Sequence, residues 1–139
     1  MLENTTFGRS IDMLQRSMDV ASLRHEVIGN NIANADVPNF KRSEINFEAA
    51  LKRAIDSERA VPRVALATGD ARHISSFRQT DWREVSPRRV LDYTSSTKNN
   101  GNNVDAEQEF MESMTNQLRY TLMSQATAFE FEQINLVLR

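Results

Sequence analysis

The chain contains no cysteine, only four glycines and three prolines, and few aromatic residues (7%). The missing cysteines exclude a disulfide scaffold, although secretion without disulfides and a reducing cytosol both fit. The glycines are scattered, so no phosphate-cradling loop is formed. No hydrophobic run approaches the ~20 apolar residues that a membrane span needs. The N-terminus, MLENTTFGRS, has no basic region leading into an apolar core, which argues against a Sec-type signal peptide. A net charge of −2 argues against a general nucleic-acid binder.

What the chain does have is helical periodicity. With 139 residues, one domain with a modest core is the expectation. Phe7, Ile11, Leu14, Met18, Ala21, His25, Ile28, Ile32 and Ala35 follow an unbroken 4-3-4-3 spacing, the pattern of a coiled-coil seam. Arg24 and other polar residues fall on the remaining faces. A helix from Thr6 or Ser10 to Ala35 would be roughly 40 Å long and could not bury its stripe without a partner. Pro38 disfavours helical geometry at Val37 and ends the run.

Ser43 to Arg59 reads as a second helix, with Ser43 as its N-cap and Glu44 at its positive end. Phe47, Leu51 and Ile55 recur along it every four residues, and Val61-Pro62 closes it. Residues 63–98 change character, with seven basic and four acidic residues. Arg63 to Ala67 and Val90 to Tyr93 suit short strands, and Thr68-Gly69-Asp70 a turn. Ile74, Phe77, Trp82 and Val85 lie among polar residues without helical period. Thr94 to Asn103, TSSTKNNGNN, has the composition of a linker.

A last helix is expected from Val104 to Leu138, a stretch free of glycine and proline. Asn103 or Asp105 caps it, with Glu107 and Glu109 suited to its N-terminus. Met111, Met114, Leu118, Leu122, Phe129 and Leu136 lie near one face. Two long helices at opposite ends of the chain most simply pack on each other, with neighbouring subunits covering the rest. The predicted fold class is therefore mainly α. Two long terminal helices form a coiled-coil pair, joined by a shorter helix and an irregular or weakly β insert. The expected divisions are 1–35, 36–61, 62–103 and 104–139, within one structural unit.

No catalytic, cofactor-binding or metal-ligating set emerges. His25 sits on the apolar seam, where a packed or partner-facing role is expected. His73 lies in the insert beside Asp70 and Arg72, without further ligands at metal-site spacing. The acidic residues after Val104 suit a helix start better than acid–base catalysis. A non-enzymatic protein without cofactors is expected.

One ordered stretch is more specific than its parts. Asn30-Asn31-Ile32-Ala33-Asn34-Ala35-Asp36-Val37-Pro38-Asn39-Phe40-Lys41 resembles the N-terminal signature NNIANANTPGYK of flagellar rod and hook proteins. Asn39 stands where that family usually has glycine, and Val37 where it has threonine. TGDARHI (Thr68–Ile74), GNNVD (Gly101–Asp105) and Asn116-Gln117-Leu118-Arg119-Tyr120 resemble segments of the proximal rod members.

The resemblance implies a structural subunit of the bacterial flagellar basal-body rod. Such subunits are exported uncleaved by the flagellar type III apparatus into the periplasmic part of the rod. It implies coiled-coil assembly into a drive shaft that carries torque to the hook and filament. The implied partners are further copies, other proximal rod proteins, the rod-to-ring adaptor and the membrane ring protein, without nucleic acid or membrane insertion. Phe7, Ile11, Leu14, Met18, Ala21, Ile28 and Ile32, with Met111, Met114, Leu118, Leu122 and Phe129, form the expected assembly seam. A soluble coiled-coil adaptor or chaperone of an export system is the alternative.

The turn is expected to hold Asn39 at positive φ, which asparagine tolerates and β-branched residues resist. Pro38 fixes its own φ, Phe40 packs back on the helix, and Lys41 and Arg42 stay at the surface. Asn39→Gly should then swim normally and Asn39→Val should not. Recovery of Asn39→Val in purified basal bodies at wild-type level would sink this account of the turn.

Overall fold

The computed structural model describes residues 5–60, 69–70, 72 and 79–138. The elements run α1 (Thr6–Ala33), β1 (Ser43–Asn46), α2 (Glu48–Arg59), a short 3-10 helix (Trp82–Glu84), β2 (Arg88–Leu91) and α3 (Ala106–Val137). The fold is mainly helical, with the two long terminal helices packed on each other. The chain divides into two compact units, Met1–Ile45 with Arg89–Arg139, and Asn46–Arg88.

In the first unit, α1 starts where the Thr5 hydroxyl accepts from the Gly8 N–H. It ends at Asn34, whose N–H and side-chain amide both reach the Asn30 carbonyl. α3 starts at Asp105, whose carboxylate accepts from the Glu107 and Gln108 N–H groups, so Asp105 is the cap. The helices run antiparallel. Asn31 meets Glu109, the Ala21 carbonyl meets Asn116, and Phe7 meets Phe131 edge-on at 6.1 Å.

The faces that meet share part of the hydrophobic stripe of α1 but leave the stripe of α3 outside. On α1, Val20, Ala21, Val27, Ile28 and Asn31 are buried, whereas His25 is exposed and Ile32 half-buried. Arg24, expected to be solvated or to pair locally, is half-buried and donates to the Ile45 carbonyl at 3.4 Å. On α3, Glu109 and Asn116 are buried, and Met123, Thr127, Glu130 and Ile134 are half-buried. The stripe from Met111 to Phe129 is exposed. It takes no part in the intrachain pairing, because polar bonds to Glu109 and Asn116 set how α3 is rotated.

β1 and β2 form a two-stranded sheet. The second helix therefore does not begin at Ser43. Ser43 is buried in β1, and its hydroxyl accepts from Arg89 Nε at 2.9 Å. α2 begins five residues later, after Phe47, which makes no side-chain capping bond. The later strand, expected at Val90 to Tyr93, ends at Leu91.

In the second unit, Phe47, Ala54, Trp82 and Val85 are buried. Ser57 Oγ of α2 accepts from the Thr80 N–H, just before the 3-10 helix. At the expected turn, the Asp70 carboxylate accepts from the Arg72 N–H. The strand expected at Arg63 to Ala67, and Val61-Pro62, Thr68, His73, Ile74 and Phe77, lie outside the described residues.

Candidate assembly site

The signature turn is built against the stretch whose composition suggested a linker. Asn102 and Asn103 are buried, contrary to the expectation of a solvated connection. The Asn102 side-chain amide donates to the carbonyls of Asn34 at 3.0 Å and Val37 at 2.8 Å, and its oxygen accepts from the Val104 N–H. One asparagine thereby ties the C-cap of α1 to the turn that follows it, adding a second hydrogen bond to carbonyls that already accept from the Val37 and Phe40 N–H groups. Lys98 Nζ donates to the Ala35 carbonyl at 2.8 Å and pairs with Asp36. The Asn103 oxygen accepts from the Arg42 N–H, and its amide donates to the Asp92 carbonyl.

Asn39 has φ 59°, the left-handed geometry expected of the family's glycine position. Its N–H donates to the Asn100 carbonyl at 3.0 Å. Opposite it, Gly101 has φ 78°, and a Cβ there would fall 2.6 Å from Asn39 Oδ1. Two left-handed residues thus meet with room for only one side chain.

Pro38 is exposed and Phe40 half-buried. Lys41 and Arg42 do not stay at the surface. Lys41 Nζ donates to the Gly101 carbonyl at 2.9 Å. Arg42 Nε lies 2.5 Å from Glu109 Oε1, and its Nη2 lies 2.8 Å from Glu112. Its Nη1 pairs with the more exposed Glu44 at 3.2 Å. Burial alone would lower the Arg42 pKa, but the Glu109 hydrogen bond and the charges of Glu109 and Glu112 raise it.

Glu109 is fully buried. Its other oxygen accepts from Asn31 Nδ2 at 3.1 Å, and the same amide nitrogen donates to the Ser43 carbonyl at 2.8 Å. Asn31 Oδ1 accepts from the Ser43 N–H. The sequence marked Asn31 only as part of a motif and Glu109 only as a helix-start residue. A burial signal was lacking because both side chains are polar.

The signature residues therefore divide by role. Asn31, Asn34, Ala35, Asn39 and Lys41 join the clamp, whereas Asn30, Ala33 and Pro38 are exposed and Ile32 and Phe40 half-buried. The expected seam divides too. Ala21 and Ile28 are buried within the chain; Phe7, Ile11, Leu14 and Met18 are half-buried. Met111, Met114, Leu118, Leu122 and Phe129 form an exposed row, with Met114 74% accessible. No group of three His, Cys, Asp or Glu residues suited to a metal ion occurs among the described residues, and no helix among them is long and apolar enough to cross a membrane.

A family model described as flagella basal body rod protein matches residues 13–41, all but the first seven residues of α1 together with the turn. The flagellar basal body rod protein FlgB of Borrelia hermsii is 44% identical over 133 residues, covering 96% of this chain and 98% of that protein. The chain belongs to the FlgB family of flagellar basal-body rod proteins. Bacillus subtilis FlgB is 32% identical, covering 95% of each chain. Escherichia coli K12 FlgB is 29% identical, covering 90% of this chain and 89% of its own. This FlgB-family chain is a structural subunit of the flagellar basal-body rod, and the adaptor reading is not favoured.

Removing Arg42 while Glu109 stays leaves a buried carboxylate short of its main partner, which costs about 3 kcal/mol or more. Arg42→Met is expected to lose that much in urea unfolding, and Arg42→Met with Glu109→Leu to recover most of it. Equal and additive losses would mean that the two side chains are not coupled.

Asp92 holds the loop entry. Its carboxylate accepts from the Ser95 hydroxyl, the Thr94 N–H and hydroxyl and the Ser95 N–H. These bonds, that of the Ser95 hydroxyl foremost, hold its pKa well below the usual carboxylate range. A depressed folded pKa stabilises fully above the unfolded value of about 3.9, and the contribution is lost as pH falls below it. Asp92→Asn is therefore expected to melt below wild type at neutral pH, with the gap closing in acid. A gap that stays constant between neutral and acid pH would contradict the assignment.

Proposed function

We propose that this FlgB-family chain is a proximal rod subunit that assembles through the outer face of α3. The observation that carries the reading is the exposed row Met111, Met114, Leu118, Leu122 and Phe129 on a 32-residue helix. Contiguous exposed apolar surface of this kind marks an interaction face. Covering one such side chain contributes about 1.5–3 kcal/mol. Association costs about 4–15 kcal/mol in lost freedom, so several must be covered together. A long straight row meets that requirement against another long helix.

On this reading the chain packs against further copies and other proximal rod proteins. It also meets the rod-to-ring adaptor and the membrane ring protein in the periplasmic part of the rod. Export proceeds uncleaved through the flagellar type III apparatus. Torque passes to the hook and filament through dense helix packing, with no catalytic group or cofactor involved. Contacts between unlike faces permit an open helical array.

Leu118→Asp tests the assembly face. Leu118 is 62% exposed, so the isolated chain should keep wild-type circular dichroism and melting. Motility and recovery in purified basal bodies should be lost. Normal swimming with normal recovery would remove the α3 face from the interface. Retention of wild-type protein inside the cell as a defined small oligomer would favour an adaptor instead.

A further inference from the structure

The loop that clamps the signature turn contains the sequence's sole Asn-Gly step, Asn100-Gly101. A glycine after asparagine has no side chain to hinder its backbone nitrogen from approaching the neighbouring carboxamide. We propose that Asn100 is a deamidation site whose chemistry is held off by the fold. In the step, the Gly101 backbone nitrogen loses its proton and attacks Asn100 Cγ. The bond from Cγ to Nδ2 breaks, and Nδ2 leaves as ammonia after taking up a proton. The product is a five-membered succinimide. Water then opens the ring at either carbonyl, giving aspartate or isoaspartate. Water is the only co-reactant.

The native loop engages both reacting groups. The Gly101 N–H donates to the Lys98 carbonyl at 3.1 Å, which keeps the nucleophile protonated. Asn100 Oδ1 accepts from the Asn102 N–H at 3.1 Å, which fixes the carboxamide. On either side of the reacting atoms, the Asn100 carbonyl accepts from Asn39 and the Gly101 carbonyl from Lys41. Cyclisation requires the Lys98 bond to break and the carboxamide to turn, so its rate follows local opening of the loop. Asn99-Asn100 and Asn102-Asn103 lack the glycine and carry a side chain across the approach.

The two products differ in what they do to the clamp. Aspartate keeps the backbone, and its carboxylate still accepts from Asn102. Isoaspartate routes the main chain through Cβ and adds one atom to it. That displaces the carbonyl on which the Asn39 N–H rests and the left-handed Gly101 packed against Asn39.

The experiment follows the full chain at mildly alkaline pH, in native buffer and in urea. Peptide mapping by mass spectrometry reads conversion at Asn100, and isoaspartyl methyltransferase reads isoaspartate. Conversion in native buffer is expected to be at least about tenfold slower than in urea, the factor reporting loop opening. Equal rates in the two conditions would overturn protection by the fold. No conversion at Asn100 in urea would overturn the site itself. Asn100→Asp supplies one product directly and is expected to keep the wild-type melting midpoint, with the isoaspartate form melting lower. Equal melting of Asn100→Asp and the isoaspartate form would refute the assignment of the damage to the inserted backbone atom.

Discussion

A single buried carboxylate organises the first unit. Glu109 is fully buried, and a charge in that position is tolerable only when paired and hydrogen-bonded. It receives Arg42 on one oxygen and Asn31 on the other. Three segments are thereby tied at one point: the end of α1, the chain leaving the signature turn and the first turn of α3. Asn31 and Glu109 are 78 residues apart in sequence. With Glu109 facing inward, the rotation of α3 about its axis is set. At 100° per residue Leu118 lies about 180° from Glu109, so the apolar row must face outward.

That constraint gives the assembly face its origin. A helix whose apolar row packed inward would complete a self-sufficient hairpin. Here polar residues fill much of the intrachain seam, and the apolar row is left for another helix. A buried ion pair adds little net stability over an apolar pair of similar size, but breaking it is costly. Its consequence in this chain is orientation. The FlgB-family relatives match along nearly the whole chain, beyond the segment of residues 13–41 that the family model covers.

The asparagine-rich loop works by the same physics with neutral groups. Asparagine carries donor and acceptor on a short side chain, so one residue can satisfy two backbone sites at once. Asn102 does this for the Asn34 and Val37 carbonyls and the Val104 N–H, and Asn103 for the Arg42 N–H and the Asp92 carbonyl. Asn39 and Gly101 add a steric term, since their left-handed backbones meet with room for one side chain. The turn is held in place from the loop as much as by Pro38.

The two long helices, a cap for α3 at either Asn103 or Asp105, and the left-handed Asn39 were legible in the sequence, because each rests on local chemistry. Periodicity, capping and allowed φ involve residues within about one or two turns of each other. The family was legible for a related reason, since an ordered run of residues survives as a run. Tertiary structure decided what periodicity could not see. Ser43 joined a strand instead of capping a helix, because Asn31 and Arg89 claim it. The linker-like loop became a clamp, because Asn102 meets carbonyls more than sixty residues away. The stripe of α3 turned outward, because a buried carboxylate found its partners on other segments. Hydrophobic patterning treats polar side chains as surface, and only the fold decides which of them are satisfied inside.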